Sequence, residues 1–186
     1  WNANFNGILR ANVLLDQLEK NGSIVTSAPL RLRFEAEAKF LRAFYYFDLV
    51  RWFGKVPLAD HPLTAAEALA LPRAAIADVY ALILSDLQFA GTNLPETYAA
   101  ADKGRATKYA AKAIEALVRM TRSGANYGIE GPGLGVNEWA QAATLLNEVI
   151  ASGKYSFLPS YANIFSYTNE NNAEVVFDVQ YATGLS

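Results

Sequence analysis

Along most of this chain apolar residues return every three or four positions, the period of a helix with one covered face. The spacing predicts a first helix over about 4–20, with Phe5, Ile8, Leu9, Asn12, Leu15 and Leu18 on one side and Asn21-Gly22 as the stop. Asn12 is the polar member of that stripe and is expected to hydrogen-bond a neighbouring backbone. A second helix is predicted over about 30–53, ended by Gly54 and Pro57. Phe34, Ala38, Leu41, Tyr45, Leu49 and Trp52 form one stripe of it, and Phe40, Phe44 and Phe47 a second. It carries seven aromatic residues between Phe40 and Phe53. A helix this apolar around its circumference belongs between neighbours, so it reads as the central post of a helical stack. Glu35, Lys39 and Arg42 occupy its remaining side at ion-pairing spacing and read as an exposed strip.

After a loop over 55–72, a third helix is predicted over about 74–90, with Ile76, Tyr80, Ile83, Leu87 and Ala90 aligned. A fourth begins near Thr107, a suitable N-cap, and presents Ala110, Ala113, Ile114, Leu117 and Val118. Glycine-rich 124–136 is a loop, and a fifth helix follows with Trp139, Ala143, Leu146 and Ile150 as its stripe. Residues 161–165 read as a single turn and 174–181 as a strand whose companions lie beyond Ser186. The fourth and fifth helices make an antiparallel pair with small residues in one and a Trp opening the other, and the second and third make another. That is the layout of tetratricopeptide hairpins, although no clean repeat of about 34 residues is visible. The expected fold is mainly all-α, with tetratricopeptide-like antiparallel hairpins and a short β segment near the C-terminus.

Composition narrows the function classes. Of 186 residues, 52% are apolar and 18% charged, which describes one globular domain with length enough for a core. A net charge of -2 with scattered Lys and Arg gives no footprint for nucleic acid or an anionic membrane surface. No cysteine is present, so disulfides, thiolate metal sites and a cysteine nucleophile are excluded. The chain opens at Trp1 without a leader pattern and reads as a piece of a longer protein lacking both ends.

Candidate chemistry is sparse. His61 stands alone beside Pro62 and reads as a solvated loop histidine, so no metal or cofactor is expected. Gly131-Pro-Gly-Leu-Gly135 follows a helix and lacks both phosphate-loop spacings, so it reads as a flexible inter-helix loop. Glu35 with Glu37, and Asp78 with Asp86, are explained by exposed helix faces. Asn21-Gly22-Ser23 matches a glycosylation sequon, but three residues are a weak signal that doubles as a turn. The remaining signal is aromatic: 10 Tyr, 10 Phe and 3 Trp. An exposed ring covers the C–H face of a sugar while polar neighbours take its hydroxyls. Loop rings Tyr98, Tyr127, Tyr155, Tyr161 and Tyr167 are the candidates for exposure, whereas rings inside helices serve the core.

The run Ala36-Glu-Ala-Lys-Phe-Leu-Arg-Ala-Phe-Tyr-Tyr-Phe-Asp-Leu-Val-Arg-Trp-Phe-Gly-Lys-Val-Pro-Leu58 resembles the SusD/RagB family of outer-membrane nutrient-binding lipoproteins. Three later segments match it in order: Gly104-Arg-Ala-Thr-Lys-Tyr-Ala-Ala-Lys-Ala113, Trp139 to Ala143 with Glu148 to Tyr155, and Asn169 to Phe177. The resemblance implies a non-catalytic surface protein that captures glycans or other nutrients for a TonB-dependent, SusC-like transporter. It implies an outer-membrane location through a lipid anchor that this chain does not contain. Trp1 and Asn4 match, in type and spacing, a Trp and an Asn by which the starch-binding member holds glucan, and so are the candidate ligand-binding residues. Two other readings remain: a tetratricopeptide-type adaptor for protein partners, and a glycoside hydrolase, which needs two carboxylates across a cleft.

Overall fold

The computed structural model describes residues 1–126, 128 and 131–180. It contains α1 (Asn2–Asn21), α2 (Ala28–Phe53), α3 (Ala65–Ala70), α4 (Ile76–Asn93), α5 (Lys108–Ser123) and α6 (Trp139–Ala151), with short 3-10 turns at Gly22–Ile24, Ala100–Asp102 and Tyr161–Phe165. Local chemistry fixes the helix ends. Ser27 and Thr107 accept the Leu30 and Ala110 amides as N-caps, and Pro29 sits in the first turn of α2, where its missing N–H costs nothing.

The long helices form one layer in which each packs on the next: α1 on α2, α2 on α4, α4 on α5, α5 on α6. Side-chain pairs reveal the directions. Asn4 meets Asp48 while Asn12 meets Arg42, and Arg42 meets Asp86 while Lys39 lies over Phe89. Gln88 meets Glu115 while Arg122 lies over Tyr80, and Lys112 meets Glu148 while Arg119 meets Glu138. In every case rising numbers on one helix meet falling numbers on the next, so neighbours run antiparallel as the tetratricopeptide-like reading requires. The second helix is the post: Ala36, Phe40, Ala43, Tyr46, Leu49 and Val50 are fully buried. Ile76, Tyr80, Ile83, Leu87 and Ala90 all lie in the core, as their spacing predicts.

The departures have identifiable causes. The strand expected over 174–181 is absent among the described residues, and Tyr181 lies outside them. A lone extended segment has no ladder partner; instead Phe177 turns its ring edge onto Phe40 and Phe44, at 5.0 and 5.7 Å between centroids. The loop after α2 is not plain loop. It contains α3, opened by a capping box between Thr64 and Glu67 that Thr-Ala-Ala-Glu encodes, and an isolated antiparallel bridge between Pro57 and Arg73 closes it. On α6 the predicted stripe faces the wrong way: Ala142 and Val149 are buried, while Trp139, Ala143 and Ile150 are exposed. Among the described helices α6 is last in the layer, so only α5 covers it.

Burial also sets proton affinities. The Tyr46 hydroxyl exchanges hydrogen bonds with Ala59, and that of Tyr80 donates to the Pro132 carbonyl at 2.8 Å. Desolvation pushes both phenols up to about 12. An unfolded phenol ionises near 10, so their stabilisation is complete below that pH and is lost as the pH rises towards about 12. Urea unfolding at about pH 9 and about pH 11 is expected to give the lower midpoint at the alkaline value, with Tyr46→Phe and Tyr80→Phe each reducing the difference.

Candidate functional site

The candidate residues Trp1 and Asn4 lie where the start of α1 meets the end of α2. Trp1 stands at the helix N-cap position and is 49% exposed as a residue. It packs against Phe5 at 4.9 Å, and against Phe53 edge-on at 5.0 Å and 88°. Phe53 is itself 47% exposed, and Trp52 stands almost free of the core. Asn4 donates from Nδ2 to Asp48 Oδ2 at 2.8 Å, and Arg51 donates to the other oxygen at 3.1 Å. The structure therefore brings Trp1 and Asn4 together and adds Phe53, Asp48 and Arg51 from the last turns of α2. Sequence reasoning missed these three because Phe53 and Asp48 read as members of a buried helix. The available signal was an aromatic residue one position before the Gly54 stop, where a helix emerges from its neighbours.

Chemically, this is an edge of two exposed rings beside an amide, a carboxylate and a guanidinium. Such a surface stacks on apolar faces and offers both donors and acceptors to hydroxyl groups. A charge relay is not built here.

The other sequence candidates resolve individually. His61 is exposed and its Nδ1 lies 2.7 Å from Asp60 Oδ1, which holds the Asp60 carboxyl below its usual value. Among the described residues no cluster of His, Asp and Glu could hold a metal ion. Tyr98 donates to Glu37 at 3.0 Å and Tyr155 lies edge-on to Tyr109; both are half-buried and line a cavity of about 260 Å³. Tyr161 and Tyr167 are exposed, and Tyr127 lies outside the described residues. The glycine-rich loop is hydrogen-bonded to the end of α5, with the Leu134 and Gly135 amides donating to Arg122 and Gly124 at 2.8 and 2.9 Å. A Cβ on Gly133 would lie 2.5 Å from the Ala125 carbonyl oxygen and 2.7 Å from that of Gly124. Gly133→Ala is accordingly expected to cost about 1–3 kcal/mol in urea unfolding through forced backbone displacement.

Two charged residues expected on exposed faces are buried. Arg42 donates from Nε and Nη2 to both Asp86 oxygens, at 2.7 and 2.9 Å. Its Nη1 donates to Asn12 Oδ1 and to the Asp60 carbonyl, each at 2.8 Å. Asn12 in turn donates to the carbonyls of Ala59 and His61, a loop backbone brought alongside by the fold. Burial pushes the Asp86 carboxyl above its ordinary value, opposed by the Arg42 guanidinium. Glu35 and Lys39 do form the expected surface pair, at 3.1 Å.

This helical layer with its exposed aromatic edge has recognisable relatives. A profile of the SusD-like family, described as starch-binding and associating with the outer membrane, covers residues 1–120. The chain belongs to this SusD-like family. A SusD-like protein of Formosa agariphila is 30% identical over 185 residues, which is all of this chain and 32% of the relative. Among solved structures, a laminarin-binding SusD-like protein shares 32% identity at a TM-score of 0.81, over 95% of this chain and 36% of that one. A structure with a xylogluco-oligosaccharide shares 30% identity at 0.81, over 98% and 35%. The chain thus spans about a third of the length of these relatives.

Proposed function

We propose that this chain is the helical part of a non-catalytic, surface-exposed outer-membrane protein that binds a glycan and delivers it to a TonB-dependent, SusC-like transporter. The observation that carries this reading is the exposed Trp1–Phe53 edge beside Asn4 and Asp48. It coincides with two residues that the family resemblance marks for glucan contact. Support for the ligand class comes from the laminarin-binding SusD-like protein and from the similar structure with a xylogluco-oligosaccharide. Family membership supports the outer-membrane location, and transporter delivery and lipid anchoring are proposed with it. Isothermal titration of the full-length protein against a panel of soluble glucans, hemicelluloses and glycopeptides tests the proposal. A ligand bound without turnover is the expected result; no binding across the panel, or hydrolysis of a bound glycan, contradicts it.

A further inference from the structure

Trp52 shares a stripe of α2 with the buried Ala38 and Leu49, yet it is 76% exposed. Among the described residues its indole makes no hydrogen bond and no ring contact. Single exposed apolar residues are ordinary, but this one is not single. The register of the two helices places it beside other rings. Gly7 lies against the Tyr45 ring, and Asn4, three residues back on α1, bonds Asp48, three residues on along α2. One more such step brings Trp1 level with Arg51, and the Trp1–Phe53 ring contact shows that the register holds to the helix ends. Trp52 follows Asp48 by four residues, so it stands on the Asp48 side of α2 at the level of Trp1. Trp1, Trp52 and Phe53 thus share one end of the α1–α2 pair, with Asn4 and Asp48 a turn below.

Trp1 and Trp52 face solvent from the same level without touching each other, which suits a ligand longer than either ring. Trp1 is braced by Phe5 and Phe53 and has Asn4 beside it. Trp52 keeps both a free ring face and a free indole N–H, one to stack on a sugar and one to donate to a hydroxyl. We propose that Trp52 is a second stacking platform of this edge. The edge then takes an oligosaccharide of two or more pyranose units, one C–H face on Trp1 and a later one on Trp52, in preference to a single sugar. This rests on the glycan reading above and adds to it the length of the ligand.

The full-length protein and its Trp52→Ala and Trp1→Ala variants, each checked by circular dichroism, are titrated calorimetrically. The probes are laminari-, cello- and malto-oligosaccharides from glucose to the hexasaccharide, and xyloglucan oligosaccharides. Affinity of the parent is expected to climb with chain length. Trp52→Ala should weaken the longest bound member about tenfold and flatten that climb, whereas Trp1→Ala weakens every length. A Trp52→Ala loss within about twofold at the longest member, or equal at all lengths, overturns the proposal and leaves the glycan reading standing. A parent that binds none of the probes overturns both. Fluorine NMR of protein labelled with 5-fluorotryptophan, with the Trp52 signal assigned by its loss in Trp52→Phe, gives a second readout. That signal is expected to differ between H2O and D2O in the free protein and to lose the difference when the longest bound member is added. No solvent difference in the free protein means that the intact chain covers Trp52, which also overturns the proposal.

Discussion

Replacing Asp86 with alanine is expected to lower the free energy of unfolding by about 3–5 kcal/mol, because a guanidinium is left buried without its counter-ion. Arg42 and Asp86 expose only 7% and 3% of their side chains, so solvent cannot take over the lost contact. Arg42→Met should cost at least as much. It strips donors from Asp86, Asn12 Oδ1 and the Asp60 carbonyl at once, and an unsatisfied buried acceptor costs about 1–3 kcal/mol. The double variant Arg42→Met/Asp86→Leu removes both charges together, so its cost should fall short of the sum by about 2 kcal/mol or more, the signature of coupled sites. Urea denaturation followed by circular dichroism reads all three. An Asp86→Ala loss under about 1 kcal/mol would place the pair among ordinary surface bridges and remove this role.

The clamp matters beyond stability because of what it holds. Through Arg42 and Asn12 it ties the backbone of residues 59–61 to α1, α2 and α4, while Tyr46 grips Ala59 from the same helix. The loop so held leaves α2 at Gly54, one residue after Phe53.

Asn12, Arg42 and Asp86 also mark where sequence reading stops. Periodicity locates a helix and its apolar face, and the Ile76–Ala90 stripe was legible because that face is covered on both sides by long neighbours. Periodicity does not tell a solvated charge from a buried one, since Lys39 and Arg42, four and seven residues after Glu35, fall on the same side of the helix and yet meet opposite fates. The difference is made by residues 44 and 30 positions away, Asp86 and Asn12, whose proximity only the tertiary fold creates. On α6 the stripe was real, but which side meets α5 depended on the neighbour. The β propensity of residues 174–180 likewise meant nothing without a second strand. At the candidate ligand edge, Trp1 and Asn4 were legible through kinship alone, and Phe53 and Asp48 became visible only when the end of α2 came to rest beside them.

The largest effect on function is expected from Trp1. Trp1 is half exposed and its ring is braced by Phe5 and Phe53, which makes it a rigid anchor that loses little freedom when a sugar covers it. Truncating such an anchor commonly removes 2 kcal/mol or more, so Trp1→Ala in the full-length protein should weaken glycan affinity about thirtyfold. Trp1→Phe keeps a ring of smaller area and should recover part of the loss. Asn4→Ala should have the smaller effect of one hydrogen bond, about 1 kcal/mol, because one of its donors is already committed to Asp48. Calorimetric titration of each variant with the ligand found for the parent, after checking that its unfolding midpoint is retained, separates binding from stability. Affinity within about twofold of the parent for Trp1→Ala would show that the glycan sits elsewhere, since no braced ring at a binding centre is lost so cheaply.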